Sequence, residues 1–211
     1  MRDRTKNKIV LTLIRHGSTT SNEEKRYLGR TDEVLSAKGI CEIAEKKYLY
    51  NSADLLFVSP MLRCRQTADI LFPDRKAVAV EEWKEIDFGR FEGKNYRELF
   101  DDCLYRQWVD SGCKGQIPEG ERLEDFIDRS MTGLDKCLKK CEEAILADDV
   151  FREHISAAAI VHGGTIMSIL SKLTDSDYFD FNVKNGEGYI LEFEDERFKS
   201  KRFTGDNQKK R

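Results

Sequence analysis

A histidine and an arginine adjoin where an apolar segment near the amino terminus ends. Ile9 to Ile14 are apolar except for Thr12 and rich in β-branched types, which predicts a buried strand ending before Gly17. Ligands of open α/β sheets bind beyond the carboxyl ends of strands, where Arg15 and His16 would lie. Two interpretations stay open. The arginine binds a phosphate ester that the histidine attacks, or the two residues form a strand-end salt bridge and a capping histidine.

A second histidine occupies the same kind of position later in the chain. Ser156 to Val161 predict an apolar strand, which is followed by His162, two glycines and a helix from Thr165 to about Leu173. A helix amino terminus with small residues offers free N–H groups to an anion, so Gly163 is a candidate phosphate-binding residue. The third histidine, His154, lies in a charged stretch without this context. Two of three histidines at strand ends favour a functional site.

An arginine falls near a third predicted strand end. Leu55 to Val58 predict a strand, and Ser59-Pro60 then opens a helix to about Phe72. Arg63 would lie in the first turn, where a cation opposes the helix dipole, so we expect its guanidinium to face a bound dianion. Arg65 lies about 200° farther around the helix, and we expect it to be a solvated surface residue.

A loop rich in aromatic residues and glycine, from Trp83 to Gly93, follows a short predicted strand over Ala77 to Val80. Its Glu85 is a candidate general acid, because burial beside aromatic rings raises the pKa of a carboxyl and suits it to protonate a leaving alkoxide. On its own, a glutamate in such a loop is more often a surface residue.

The elements that must position these side chains alternate between strand and helix. Further segments show patterns of helices over 36–50, 95–109 and 121–146, and of hairpin strands over 189–193 and 198–203. The alternation predicts an α/β three-layer sandwich, with a mostly parallel central sheet, helices on both faces and a small helical insertion over the site. We expect one catalytic domain over residues 1–211, with the insertion at about 95–147 and a flexible tail at 205–211.

The composition is typical of an ordered globular protein, with 39% hydrophobic residues and 3 prolines. A net charge of -3 without a polybasic field argues against nucleic acid. No apolar run approaches the roughly 20 residues that span a bilayer, and the basic start lacks a signal-peptide cleavage site. The 6 scattered cysteines include no C-x-x-C pair, so we expect reduced thiols in a cytoplasmic protein. No metal-ligand spacing is present, and we expect no metal or other cofactor.

Together, the segments resemble the ordered signatures of the histidine phosphatase superfamily, which includes the cofactor-dependent phosphoglycerate mutases. The matching stretches are LIRHGSTTSN, SPMLRCRQTA, EIDFGRFEG and VHGG, with YLGRTDEVLSAKG and IPEGE between them. The resemblance implies that His16 is a nucleophile that becomes phosphohistidine and that Glu85 is the proton donor. The residues that it places around the phosphate are Arg15, Asn22, Arg63 and His162, with His162 also in the catalytic set. Ser18, Gly29 and Thr31 are further candidates on the substrate side.

The chemistry is consistent with these roles. Phosphoryl transfer needs positioning and charge compensation, which two guanidiniums supply without a metal. Their positive field disfavours an imidazolium, which keeps His16 neutral.

The sequence departs from the family pattern in two places, and the second departure favours a phosphomonoesterase over a mutase. Arg122 follows the glutamate of IPEGE, where many family phosphatases carry serine, and the paired-arginine and lysine clamp of the mutases is absent. Without that clamp, we expect a phosphoenzyme to lose its phosphoryl group to water. A mutase, or a catalytically silent domain that binds phosphorylated ligands, are the alternatives.

The expected substrate is a small phosphorylated metabolite, and α-ribazole 5′-phosphate and sugar phosphates are candidates by resemblance. Specificity should come from Glu23–Leu35 and from the insertion, where Tyr96, Tyr105 and Trp108 either stack a ring or pack the helix core. A homodimer is left open.

Overall fold

The computed structural model describes residues 8–50, 53–147, 154–194 and 197–203. Its strands are β1 (Lys8–Arg15), β2 (Leu55–Val58), β3 (Ala77–Ala79), β4 (His154–Val161), β5 (Gly188–Glu194) and β6 (Arg197–Phe203). They form one sheet in the order β3-β2-β4-β1-β5-β6. The first four strands are parallel, and β5 and β6 form an antiparallel hairpin. The mostly parallel sheet is therefore confirmed, while the tail predicted at 205–211 lies outside the described residues.

The α-helices are α1 (Thr20–Glu23), α2 (Ala37–Lys46), α3 (Leu62–Leu71), α4 (Cys103–Asp110), α5 (Leu123–Ala147) and α6 (Gly163–Thr174). The Ser36 side chain caps α2 as predicted, accepting the Gly39 N–H at 2.9 Å. The helix expected from residue 95 was predicted too long. Asp102 accepts the N–H groups of Leu104 and Tyr105, so the regular helix begins only at Cys103. Likewise, α3 begins two residues after Pro60.

Helices cover both faces of the sheet, which confirms the three-layer prediction. On one face, α5 and α6 bury a core that includes Leu11, Leu134 and Ile169. On the other face, α2 and α3 pack Ile43 and Cys64 against the sheet. The apolar side chains of the central strands are buried on both sides, as their nearly continuous hydrophobic sequences predict.

A third, separate core lies in the insertion. It groups Phe91, Leu99 and Trp108 with Phe126 from the first turn of α5. Farther along α5, Cys137 belongs to the core on the sheet. Most of α5 therefore belongs to the helix layer that covers the sheet, whereas its first turn packs in the insertion predicted at about 95–147.

The register of the sheet brings three strand ends to one edge. Arg15 pairs with Val161 across β1 and β4, so His16 and His162 follow neighbouring strands at the same level. Val58 pairs with Ile160 across β2 and β4, so the segment that leads into α3 begins beside His162. The side chains predicted from separate parts of the sequence thus converge.

Candidate active site

A cavity of about 310 Å³ opens at this edge of the sheet. Five of the predicted site residues line it, namely Arg15, His16, Asn22, Glu85 and Gly163. The remaining wall comes from the loop after α1, the insertion, α6 and the turn that follows α6. The cavity is at the small end of the range for ligand sites, which suits a small molecule.

His16 is held as a neutral imidazole with one free nitrogen. Its Nδ1 lies 2.7 Å from the Gly17 carbonyl oxygen, and because a carbonyl only accepts, Nδ1 carries the hydrogen. The Nε2 lone pair is therefore unprotonated. Burial of the ring, which is 3% exposed, and the nearby Arg63 and Arg15 guanidiniums hold the pKa of His16 well below its ordinary 6.5. Such an imidazole can act as a nucleophile.

Arg15 keeps a buried donor available beside this histidine. Its Nη1 donates to the Val183 carbonyl at 2.6 Å, whereas Nε has no hydrogen-bond partner in the described part of the chain. The guanidinium lies against the first residue of α6, since a Cβ on Gly163 would be 3.4 Å from its Cζ. An unpaired guanidinium donor and a helix amino terminus that meet in one cavity can bind an anion such as a phosphate.

Glu85 is a buried carboxyl in the same cavity, and its side chain accepts the Ile86 N–H at 3.0 Å and the Gly164 N–H at 3.4 Å. Burial raises the pKa of Glu85 above its ordinary 4.5, against the opposing influence of these N–H groups and two arginines. The raised pKa favours the protonated form, which can act as a general acid. A Cβ on Gly164 would lie 2.4 Å from Glu85 Oε1, so this close approach requires glycine.

Arg63 and His162 are fully buried and, unlike His16, do not line the cavity. Arg63 therefore lies behind the lining of the cavity, and its place beside a bound phosphate stays a prediction. Its Nη1 and Nη2 donate to the carbonyls of Thr31 and Gly29, each at 2.9 Å. Arg63 acts from behind the site, where its charge helps to keep His16 neutral.

The His162 ring packs edge-on against His16, with ring centroids 5.1 Å apart. Arg63 Nε donates to His162 Nδ1 at 3.3 Å, so the hydrogen of His162 is on Nε2, which donates to Ser59 Oγ at 2.8 Å. Burial, Arg63 and His16 itself lower the pKa of His162 well below 6.5. In this structure His162 is a neutral support for the His16 ring.

The three candidates for the substrate side do not line the cavity. Gly29 and Thr31 contribute their carbonyls to Arg63, and their N–H groups donate to Glu92 Oε1 at 2.8 and 3.0 Å. Ser18 lines a separate surface depression beside Lys38. Gly29 and Thr31, in the loop after α1, therefore hold the Arg63 guanidinium through their backbone oxygens.

Two residues that the sequence analysis did not single out hold the histidine loop in place. Asn185 Nδ2 donates to the His16 carbonyl at 2.9 Å and to Asn22 Oδ1 at 3.3 Å. Thr67 Oγ1 accepts the Gly17 N–H at 3.0 Å and donates to the Arg63 carbonyl at 2.7 Å. Thr67 follows Arg63 by one helical turn, and that spacing could have identified it. Asn185 lies in a polar loop with the sequence of an ordinary turn, so no signal in the sequence identifies it.

Arg129 on α5 anchors the segment that carries Glu85. Its Nη1 donates to the carbonyls of Glu82 and Lys84 at 2.6 Å each, and its Nη2 donates to the Glu85 carbonyl at 3.1 Å. Its Nε and Nη2 also bind both carboxylate oxygens of Glu121, at 2.6 and 2.8 Å. The bidentate ion pair with Glu121, which lies in the IPEGE stretch, fixes the guanidinium in the plane that reaches the three carbonyls.

We expect Arg129→Met to lower the free energy of unfolding by about 2–4 kcal/mol, because Glu121 and the carbonyls lose their donors in a mostly buried position. Urea denaturation measures this change. Arg122→Met is the control, since its side chain is 60% exposed and lies 3.8 Å from Glu124, and it should change stability by less than about 0.5 kcal/mol. Equal effects of the two substitutions would contradict the anchoring role.

The structure also bears on the predictions for Arg65, the cysteines, metal binding and membrane spans. Arg65 is exposed, as predicted. All six cysteines are unpaired, and Cys64 Sγ lies 3.6 Å from His162 Nε2. No three His, Cys, Asp or Glu side chains of the described residues group as metal ligands do. No helix in the described ranges is long and apolar enough to cross a membrane.

Comparison with known proteins gives relatives that are named as a probable phosphatase and as a probable phosphoglycerate mutase. Over 194 residues, the chain is 35% identical to a probable 2-carboxy-D-arabinitol-1-phosphatase of Arabidopsis thaliana, an alignment that covers 87% of this chain but only 38% of the plant protein. It is 29% identical over 134 residues to the probable phosphoglycerate mutase GpmB of Klebsiella pneumoniae (strain 342), covering 60% of this chain and 62% of the mutase.

Among solved structures, the chain resembles a putative alpha-ribazole-5′-P phosphatase from Escherichia coli K-12 MG1655 with a TM-score of 0.78. The match covers 93% of this chain and 96% of the other at 22% identity, so it supports the fold alone. The sequence-family model of the histidine phosphatase superfamily (branch 1) matches residues 11–206, which is nearly the whole chain. The shared fold, the ordered motifs and this match agree, and the chain belongs to the histidine phosphatase superfamily, branch 1.

Proposed function

We propose that this chain is a metal-independent phosphomonoesterase that hydrolyses a small phosphorylated metabolite through a phosphohistidine on His16. The observation that carries the proposal is the state of His16, a neutral imidazole whose Nε2 is free in a cavity that also holds an unpaired Arg15 donor. Glu85, with its raised pKa, supplies the proton that such a reaction needs.

In the first step, His16 Nε2 forms a bond to phosphorus while the bond to the leaving oxygen breaks. Glu85 transfers its proton to that oxygen, and the alcohol leaves. Arg15 and the amino terminus of α6 bind the phosphoryl oxygens, and the Gly17 carbonyl stabilises the Nδ1–H as the ring becomes positive.

In the second step, the Glu85 carboxylate removes a proton from a water molecule that attacks phosphorus. The bond between phosphorus and His16 Nε2 breaks, inorganic phosphate forms, and the imidazole and the protonated carboxyl are restored.

The charges in the cavity favour hydrolysis over mutase chemistry. A mutase must hold a second anionic group of its substrate, yet among the described residues Arg26 is the one cation besides Arg15 in the lining. The Arg26 guanidinium already binds Glu24 and Glu98, at 2.5 and 2.6 Å. Apart from Arg15, which binds the phosphoryl group in this proposal, no unpaired cation of the described residues lines this cavity to retain a phosphorylated product.

We expect para-nitrophenyl phosphate to be hydrolysed at the same rate with and without a chelator such as EDTA, as phosphate release measures. Loss of activity in EDTA that added metal restores would contradict the mechanism. Conversion of 3-phosphoglycerate that 2,3-bisphosphoglycerate stimulates, in excess over phosphate release, would identify a mutase. Tight phosphonate binding without turnover of any phosphomonoester would identify a silent binding domain.

A further inference from the structure

We propose, resting on the proposed phosphatase activity, that the site selects phosphomonoesters whose leaving group is uncharged and carries a planar ring. The ring would pack in the part of the cavity that is walled by Tyr27, Phe88, Trp108, Met167 and Phe179, here called the aromatic chamber. The inference concerns the leaving group alone, and the phosphate remains beside His16.

The position of Glu85 determines where the leaving group lies. In an in-line displacement, the leaving oxygen is on the side of phosphorus opposite His16 Nε2. The proton donor must be within hydrogen-bond reach of that oxygen. Glu85 and His16 line the same cavity, so the leaving group extends into the space that Glu85 borders. The residues of the aromatic chamber line the same cavity.

The wall of the chamber is apolar and aromatic. The Tyr27 ring lies 5.0 Å from Phe88 and 5.8 Å from Trp108, between ring centroids, so three rings form one continuous surface. Aromatic rings gain from tilted or edge-to-face contact with another ring. The described residues of the lining include no lysine and no aspartate. An anionic leaving group would therefore lose its hydration without a free cation to replace it.

One ring of the chamber is partly exposed to water, and a bound leaving group would cover it. Phe179 follows α6 in a short turn, lines the cavity and is 48% exposed. Tyr178 packs against it, with centroids 5.1 Å apart, and lines the same cavity. A ring-bearing leaving group in the chamber would cover apolar surface of Phe179 that now faces water.

A second, cationic basin adjoins the cavity and offers the competing explanation. It has a volume of about 800 Å³ and includes Lys25, Lys184 and Arg202. It shares Arg15, Asn22, Arg26, Tyr27 and Asn182 with the cavity but includes neither His16 nor Glu85. The basin can attract phosphate dianions from solution, but a group held there lies away from the proton donor. A preference for anionic leaving groups would identify the basin, and not the chamber, as the determinant of specificity.

The test compares primary alkyl phosphates, whose leaving alcohols are of similar acidity, so that differences in kcat/KM report recognition. We expect kcat/KM for 2-phenylethyl phosphate to exceed that for glycerol 1-phosphate by roughly 10- to 100-fold, the effect of burying one ring. We expect 3-phosphoglycerate to be the poorest of the three substrates. Equal values for the first two, or 3-phosphoglycerate as the best substrate, would overturn the proposal.

A matched pair of variants assigns the preference to the chamber. Phe179→Ala should reduce the ratio of the first two kcat/KM values by about 5- to 10-fold. Phe100→Ala removes a ring that is 69% exposed and is outside the cavity lining, and it should leave the ratio unchanged. An unchanged ratio in Phe179→Ala, or an equal loss in Phe100→Ala, would contradict the assignment.

Failure of the proposed function would be visible separately, as an absence of phosphate release from every substrate, para-nitrophenyl phosphate included. In that case, binding of phosphonates by calorimetry still tests the chamber. Tighter binding of 2-phenylethylphosphonate than of 3-phosphonopropionate would support the selection of an uncharged ring, and the reverse order would contradict it.

Discussion

His16→Ala should lower kcat for phosphomonoester hydrolysis by roughly 10⁴-fold or more, the scale on which loss of a covalent nucleophile acts. Among the described residues, His16 is the one histidine that lines the cavity. His162 is buried behind the His16 ring, and both of its ring nitrogens are hydrogen-bonded, so it cannot replace His16 as the nucleophile. Arg15 and Glu85 remain in the variant, so the loss reports the nucleophile. Steady-state phosphate release measures the effect.

His154→Ala is the matched control. His154 is exposed at the first residue of β4, at the far end of the strand from His162, and its loss should leave kcat and KM unchanged. Activity of His16→Ala within tenfold of the unsubstituted protein, while His154→Ala behaves as expected, would mean that another group attacks phosphorus.

Glu85→Gln should slow the hydrolysis of alkyl phosphates by about 10²- to 10⁴-fold, because their leaving alkoxides require a proton. The loss for para-nitrophenyl phosphate should be much smaller, since its phenolate leaves without one. Kinetics on both substrates measure this difference. Glu81→Gln removes an exposed carboxylate that pairs with Lys84, and it should affect neither substrate. A uniform loss on both substrates would assign Glu85 to binding and not to proton transfer.

The pH dependence follows from the direction of two pKa shifts. Burial raises the pKa of Glu85, so the carboxyl stays protonated above pH 4.5 and loses its proton only as the pH rises through the higher value. The pKa of His16 is well below 6.5, so the nucleophile remains neutral into the acid range. For alkyl phosphates, kcat should therefore be retained below pH 6.5 and should fall as the pH rises through the pKa of Glu85. This alkaline fall should be absent from the residual activity of Glu85→Gln.

The convergence of the site could be predicted from the sequence because parallel strands bring their carboxyl ends to one edge. Arg15, His16 and His162 each follow an apolar segment of β-branched or small residues, and pattern alone placed these segments as strands. The two hairpin strands and the Ser36 cap of α2 could also be predicted, because each depends on the sequence of its own segment.

What the sequence could not predict depends on contacts between distant segments. The orientation of Arg63 is set by carbonyls 32 and 34 residues away, so its position in the first turn of α3 did not reveal that it points into the protein. Asn185 reaches His16 across 169 residues, and nothing in its own loop signals that contact. The sequence pattern of α5 did not reveal that this one helix contributes to two separate cores.

The most direct test of the account is to trap the phosphoenzyme. A radiolabelled phosphomonoester mixed with the protein and quenched within milliseconds should leave label that is stable in alkali, labile in acid and located on the peptide that contains His16. The label should be absent from His16→Ala. Phosphate release with no labelled protein at any time, or label on a residue other than His16, would contradict the phosphohistidine mechanism.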